Sequence, residues 1–193
     1  MQKPSLIGIG GTNASGKDTL ALYLVEKHGY LFVSTSDMIR EVATKREGNI
    51  LRPTLVKVSN EMRTESGAGV LVKLCIEHYK KSGNKVGLVA SSIRTKGEVE
   101  EIKKQGGILV FTDADAKIRY ERLKSRKRAD DFISYKQFLA EQQAEWHQSD
   151  DPGVHSIKSV KEAADYIFTN NSDEASFTKQ LETALFVKKR RLL

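Results

Sequence analysis

The stretch Leu6-Ile7-Gly8-Ile9-Gly10-Gly11-Thr12-Asn13-Ala14-Ser15-Gly16-Lys17-Asp18-Thr19 constrains this chain more than any other. Its apolar start reads as a strand buried on both faces, the kind a parallel sheet contains. Gly11, Gly16 and Lys17 then stand at the G-x-x-x-x-G-K spacing of a phosphate-binding loop, and a helix follows. The chemistry requires those residue types. Backbone N–H groups converge on phosphate oxygens only where the chain adopts dihedrals that glycine tolerates. The helix N-terminus adds its positive end, and Lys17 adds a mobile cation for the outer phosphates. Gly11, Asn13, Ala14, Ser15, Gly16, Lys17, Asp18 and Thr19 are therefore the expected contacts of a nucleoside triphosphate, or of something shaped like one. Asp18 stands where the pattern has a hydroxyl for Mg²⁺. A carboxylate also holds Mg²⁺, directly or through water, and Thr19 is adjacent, so both are candidate metal residues.

A length of 193 residues suits one domain with a substantial core, and 39% hydrophobic residues exclude a disordered chain. No apolar run reaches membrane-span length, and Met1-Gln2-Lys3 leads straight into the strand, so neither a membrane partner nor a secretory signal is expected. Cys75 is the only cysteine, which excludes an internal disulfide and a cysteine-built zinc site; its apolar neighbours make it a core residue. The expected location is cytoplasmic. A net charge of +7 favours a polyanionic partner without naming one.

Along the chain, strands are expected at Leu6–Ile9, Tyr30–Val33, Lys85–Ala90, Ile108–Thr112 and Tyr166–Phe168, with helices between them. Asp37 or Ser36 is expected to cap a helix from Met38 to Lys45. Gly48, Asn49 and Pro53 break it, and Thr54 caps the next helix, Leu55 to Glu65. Asp113 is expected to cap a basic helix from Ala114 to about Lys127, and Ser134 another that holds Phe138 and Trp146. Residues Ser149 to Ser156 read as a polar loop. Strands alternating with helices predict an α/β fold, a five-stranded parallel sheet covered on both faces in three layers, α/β/α. Ligands then sit beyond the carboxyl ends of the strands, at Gly11 to Thr19, Ser36-Asp37, Ser91 to Arg94, Thr112-Asp113 and Asn170-Asn171.

Arg119, Arg122 and Arg126 share a helical face with few interspersed acids. Such guanidinium groups can clamp a triphosphate and offset charge on a transferring phosphoryl group. Asp37 is a candidate base or holder of metal-bound water, with Arg40 gripping an acceptor phosphate and Arg94 making a second such contact.

The phosphate loop, Ser34-Thr35-Ser36-Asp37-Met38-Ile39-Arg40 and Arg122-Leu123-Lys124-Ser125-Arg126 together resemble the motifs of adenylate kinase and other nucleoside monophosphate kinases. Gly16-Lys17-Asp18-Thr19 is similar to the loop of phage deoxynucleoside monophosphate kinases. Ala164-Asp165-Tyr166-Ile167 with Asn170 resembles the final strand and base-contacting loop of dephospho-coenzyme A kinases. The whole pattern is most similar to uncharacterised archaeal proteins related to adenylate kinase. The resemblance implies a single P-loop NTPase domain over residues 1–193 that binds ATP and Mg²⁺. It implies a helical insert, residues 38–84, holding the acceptor through Arg40, Arg63 and Arg94. It also implies a lid, residues 119–134, bringing Arg122 and Arg126 onto the phosphoryl group, and a nucleotide contact at Asn170. Lys17, Asp37, Arg94, Arg122 and Arg126 are the catalytic set. One departure is Ser91-Ser92, where the family has an acidic residue; Asp18 or Asp37 is expected to take the metal-facing task.

The expected activity is phosphoryl transfer from ATP to a small nucleotide-like acceptor, by a monomer or homodimer. The alternatives are transfer to a ribose hydroxyl, as in dephospho-coenzyme A kinases, and an NTPase switch binding nucleic acid or a protein. Nucleic acid is disfavoured because no aromatics interleave with the basic residues, and the tail Lys188-Lys189-Arg190-Arg191 reads as a solvated helix end.

Overall fold

The computed structural model describes residues 3–126, 133–146, 149 and 151–187. Five strands, β1 (Leu6–Gly11), β2 (Leu31–Ser34), β3 (Leu88–Ile93), β4 (Ile108–Asp113) and β5 (Tyr166–Thr169), form a parallel sheet in the order β2-β3-β1-β4-β5. The helices are α1 (Lys17–His28), α2 (Thr35–Glu47), α3 (Arg52–Ser66), α4 (Val70–Ser82), α5 (Lys96–Lys104), α6 (Ala116–Ser125), α7 (Tyr135–Trp146), α8 (Ile157–Glu162) and α9 (Glu174–Leu185). The expected three-layer α/β/α fold is what the chain forms.

Alternation along the strands sends side chains to two cores. Leu6, Leu88, Ala90, Leu109 and Phe111 meet Val72, Cys75, Val99, Ile102 and Val160 from α4, α5 and α8. Ile7, Ile9, Val89 and Val110 meet Leu20, Leu24, Phe177 and Leu181 from α1 and α9. Gly8 and Gly10 let the first layer lie directly on the sheet. A Cβ at Gly8 would stand 2.3 Å from Ile102 Cδ1, and one at Gly10 2.5 Å from Val160 Cγ1. Cys75 is fully buried, and burial pushes its thiol up to about 12, so it packs as a small hydrophobe. Helices α2 to α4 carry a core of their own: Ala43, Val58, Met62, Val70 and Leu71. At the outer edge of β5, Gln180 grips Thr169 with both ends of its amide, accepting from the N–H at 3.1 Å and donating to the carbonyl at 2.8 Å.

Several local expectations are corrected. Ser34, not Asp37 or Ser36, caps α2, its hydroxyl accepting from the Ser36 N–H, so that helix begins three residues early. Pro53 does not break structure; it sits in the first turn of α3, where its missing N–H costs nothing. Thr54 is inside that turn and donates to Asn49 Oδ1 instead of capping. Asp113 ends β4 and does not cap α6, whose N-cap position is Asp115. The expected polar loop, Ser149 to Ser156, is followed by an unexpected helix, α8, capped by Ser156. Ser134 does cap α7, accepting from the Gln137 N–H at 3.2 Å. Part of the expected lid, residues 127–132, and the basic tail, residues 188–191, lie outside the described residues.

Candidate functional site

The loop between β1 and α1 closes over the carboxyl edge of the sheet. Gly11 and Gly16 have φ of +151° and +98°, and Ala14 has +60°. A Cβ at Gly11 would lie 2.4 Å from the Thr112 carbonyl oxygen, and one at Gly16 2.3 Å from Asn170 Nδ2, so only glycine fits either place. Ser15 braces the loop from beneath. Its hydroxyl lies 2.8 Å from the Thr12 carbonyl and 2.6 Å from Thr112 Oγ1. Thr12 Oγ1 in turn donates to Asp113 Oδ1 at 2.9 Å. The Lys17 ammonium folds back on its own loop, donating to the carbonyls of Thr12 (2.7 Å) and Gly11 (3.2 Å). Burial, then the guanidinium of Arg94, lower its pKa to about 7; Asp18 and Glu145 pull the other way, and Arg126 adds to the depression.

Asp113 is the hinge pin of this arrangement. Burial opposes its charge, but hydrogen bonds from Lys161 (2.9 Å), Thr12 and the Ala114 N–H outweigh that and hold its carboxyl below the ordinary aspartate value. Lys161 reaches it from α8 while lying over the rings of Phe111 and Trp146.

The basic helix delivers its arginines to the loop. Arg122 donates to Asn170 Oδ1 at 3.1 Å, and Asn170 Nδ2 donates to the Ser15 carbonyl at 3.0 Å, so strand β5 and helix α6 meet on the loop's underside. Arg126 donates to Asn13 Oδ1 at 3.3 Å. Arg119 is instead a buried brace, held by the carbonyls of Ala114 and Asn13 and by Gln142. Arg122 Nη1 is buried without a hydrogen-bond partner.

On the other side of the loop, the bulge at Ser92 (φ +68°) shifts the β1–β3 register between Ile9 and Gly10. Ser91 Oγ is buried there with no partner. Arg63 and Glu98 form a buried ion pair at 3.2 Å. Glu98 also accepts from the N–H groups of Arg94 and Thr95 in a capping box, whereas Arg63 Nε and Nη1 have no partner. His155 packs nearby. Burial first, then the charges of Arg94 and Arg63, push its pKa down to about 4 and keep it neutral. Arg94 faces Glu145 of α7. Lys17, Arg94, Arg122, Arg126, Asn13 and Asn170 are thus gathered at one centre, with Asp18 and Thr19 in the first turn of α1. Asp37 and Arg40 pair with one another at 3.0 Å on the exposed side of α2.

The sequence reading missed the supporting roles of Thr12, Asp113, Arg119 and Lys161, and missed Arg52, Glu98 and Glu145 altogether. Only Glu98 carried a signal, the T-x-x-E capping box of Thr95-Lys96-Gly97-Glu98.

Residues 7–145 match a family model described as an AAA domain. A UPF0200 protein of Sulfurisphaera tokodaii is 32% identical over 93% of this chain and 95% of its own length. The chain belongs to the UPF0200 family. A UPF0200 protein of Methanococcus vannielii is 31% identical to it over 93% of this chain and 94% of that relative. Among solved structures, shikimate kinase from Acinetobacter baumannii in complex with shikimate covers 98% of this UPF0200 chain with TM-score 0.59, 16% identity and 97% of its own chain matched. Shikimate kinase from Bacteroides thetaiotaomicron covers 94%, with TM-score 0.53, 17% identity and 98% of its chain matched. At those identities the likeness is one of fold, and the fold is that of P-loop kinases.

Proposed function

We propose that this chain is an ATP-dependent phosphotransferase acting on a small nucleotide-like acceptor, in the manner of a nucleoside monophosphate kinase. The observation that carries the proposal is the convergence of cations from separate elements on one glycine loop. Lys17 comes from α1, Arg94 from the end of β3, and Arg122 and Arg126 from α6. Cations so arranged match a triphosphate whose terminal group gains charge during transfer.

The residues fit the two implied groups. For ATP, Gly11 and Gly16 leave the close approach that a Cβ would fill, and Arg122 Nη1 has an unmet donor beside the loop. For Mg²⁺, the donors on offer are oxygens: the Asp18 carboxylate, the Thr19 hydroxyl and the unpartnered Ser91 hydroxyl. Such a sparse set suits an ion that keeps waters and takes its remaining ligands from the phosphates. Bound there, Mg²⁺ would neutralise charge on the outer phosphates.

In this reading Lys17 leaves its own loop carbonyls for the phosphates. Arg122 and Arg126 orient the transferring group, and Arg94 with Arg63 supplies the field that draws an anionic acceptor. Residues 38–84 serve as the acceptor-binding insert and residues 119–134 as the lid. Asp37, exposed at the start of α2 beside Arg40, is the base if the acceptor is a ribose hydroxyl and is not needed if the nucleophile is already an anion; Asp37→Asn that keeps its turnover favours the anionic acceptor. The test is ADP release with nucleoside monophosphates, deoxynucleotides, dephospho-coenzyme A or water, with Lys17→Ala as control. Turnover with a nucleoside monophosphate supports the proposal; turnover with water alone refutes it.

A further inference from the structure

Across the cleft from the phosphate loop, Arg52 at the start of α3 and Arg94 after β3 face the last turns of α7. One carboxylate stands between them. Glu145 Oε1 lies 3.7 Å from Arg94 Nη1 and 3.6 Å from Arg52 Nη2, and Glu141 Oε2 lies 3.9 Å from Arg52 Nη1. None of these pairs closes to hydrogen-bond distance, and the Arg52 side chain is 64% exposed. The two Arg52 pairs, open to solvent at the arginine, are held weakly, while Arg94 and Glu145 are each about two-thirds or more buried and meet only at 3.7 Å. Guanidinium groups, by contrast, bind a free oxyanion through paired, directed N–H bonds. The cleft that holds Glu145 is also walled by Thr12 and Asn13 of the phosphate loop and by Trp146. Glu145 is close enough to Lys17 to act on its charge, so the carboxylate sits beside the place where a phosphoryl group would be handed over.

We infer that Arg52 and Arg94 form a subsite for an oxyanion borne by the phosphoryl acceptor, and that the Glu145 carboxylate holds this subsite until the acceptor's oxyanion displaces it. The inference rests on the kinase reading and deepens it. The acceptor carries a phosphate monoester or a carboxylate that lies between α3 and α7. Its arrival breaks the link that Glu145 makes between those helices, so binding and rearrangement of α7 are coupled. No bond is made or broken in this exchange; one anion leaves two cations and another takes its place.

The test is calorimetric titration with methyl phosphate and, separately, with acetate, the phosphate loop first being saturated with a non-hydrolysable ATP analogue. Glu145→Gln is expected to bind one of the two anions about tenfold more tightly than the unaltered chain. Arg52→Ala is expected to lose that binding, and Arg52→Lys, which keeps a charge but not the fork, to recover part of it. Tighter methyl phosphate binding assigns the subsite to a phosphate monoester, and tighter acetate binding assigns it to a carboxylate. Unchanged affinity for both anions in Glu145→Gln, in protein that melts like the unaltered chain, overturns the inference. Failure of the ATP analogue to bind refutes the kinase reading instead. The same titrations in a Lys17→Ala background, without analogue, then still read the arginine subsite.

Discussion

With its pKa near 7 and no phosphate present, Lys17 is half-charged at neutral pH, against 10.5 for an ordinary lysine. Phosphate oxygens replacing the two loop carbonyls would restore the ammonium, so ATP binding should take up a proton. The size follows from the two pKa values. At pH 8 about a tenth of the free sites are protonated, so binding should draw about 0.9 proton per ATP; at pH 6 it should draw about 0.1. The assay is isothermal calorimetry with MgATP in buffers of differing ionisation enthalpy, where the slope of observed heat against buffer enthalpy counts the protons. An uptake near zero at pH 8 in the unaltered chain, with ATP bound, would show that Lys17 is already charged and would refute the desolvation argument. The sign on stability is also set. The unfolded chain keeps Lys17 protonated up to about pH 10.5, so between pH 7 and 10.5 it binds more protons than the folded chain. Stability therefore rises across that window, and the cost of the buried ammonium is fully present below pH 7. Lys17→Met should raise the melting temperature at pH 6 while removing ATP binding.

Gly16→Ala should lower stability by about 1–3 kcal/mol, a few degrees or more in melting temperature, because a Cβ meets Asn170 Nδ2 at φ +98°. A melt unchanged within a degree would contradict that geometry. In the buried pair, Glu98→Leu should cost about 3–5 kcal/mol by stranding Arg63, whose Nε and Nη1 already lack partners. Arg63→Met should cost less, since Glu98 keeps the N–H groups of Arg94 and Thr95; denaturant unfolding of the two variants gives the order. Asp113→Asn should lower the melting temperature at pH 7 and lose its effect in acid. The depressed carboxyl stabilises the fold above pH 3.8, and that contribution disappears as pH falls through its folded value. A gap between variant and parent that persists at pH 2 would count against this.

Much of the fold was legible because it is written in contiguous residues. The buried strand Leu6–Ile9, the glycine spacing of the loop and the αL stop at Gly29 each depend on neighbours in the chain. The capping errors have one common cause. Ser34, Thr54 and Asp113 are all competent caps, and which of them caps depends on partners far away: Asp113 is claimed by Lys161, 48 positions on, and by Thr12, 101 positions back. Helix α8 escaped notice because it spans only six residues with two buried apolar side chains, too short a period to read. At the site, the residues of the phosphate loop announced themselves. Arg52 and Glu145 lie on separate helices with no motif, and only folding sets them against each other.

The glutamine clasp on Thr169 has a bearing on assembly. A terminal strand offers its free amides and carbonyls to any extended peptide, including the same strand of another copy. Here a side-chain amide imitates one residue of a missing sixth strand, and an incoming segment must first evict it. Self-association along that border is discouraged at little expense, and replacing Gln180 with leucine would leave the border open to it.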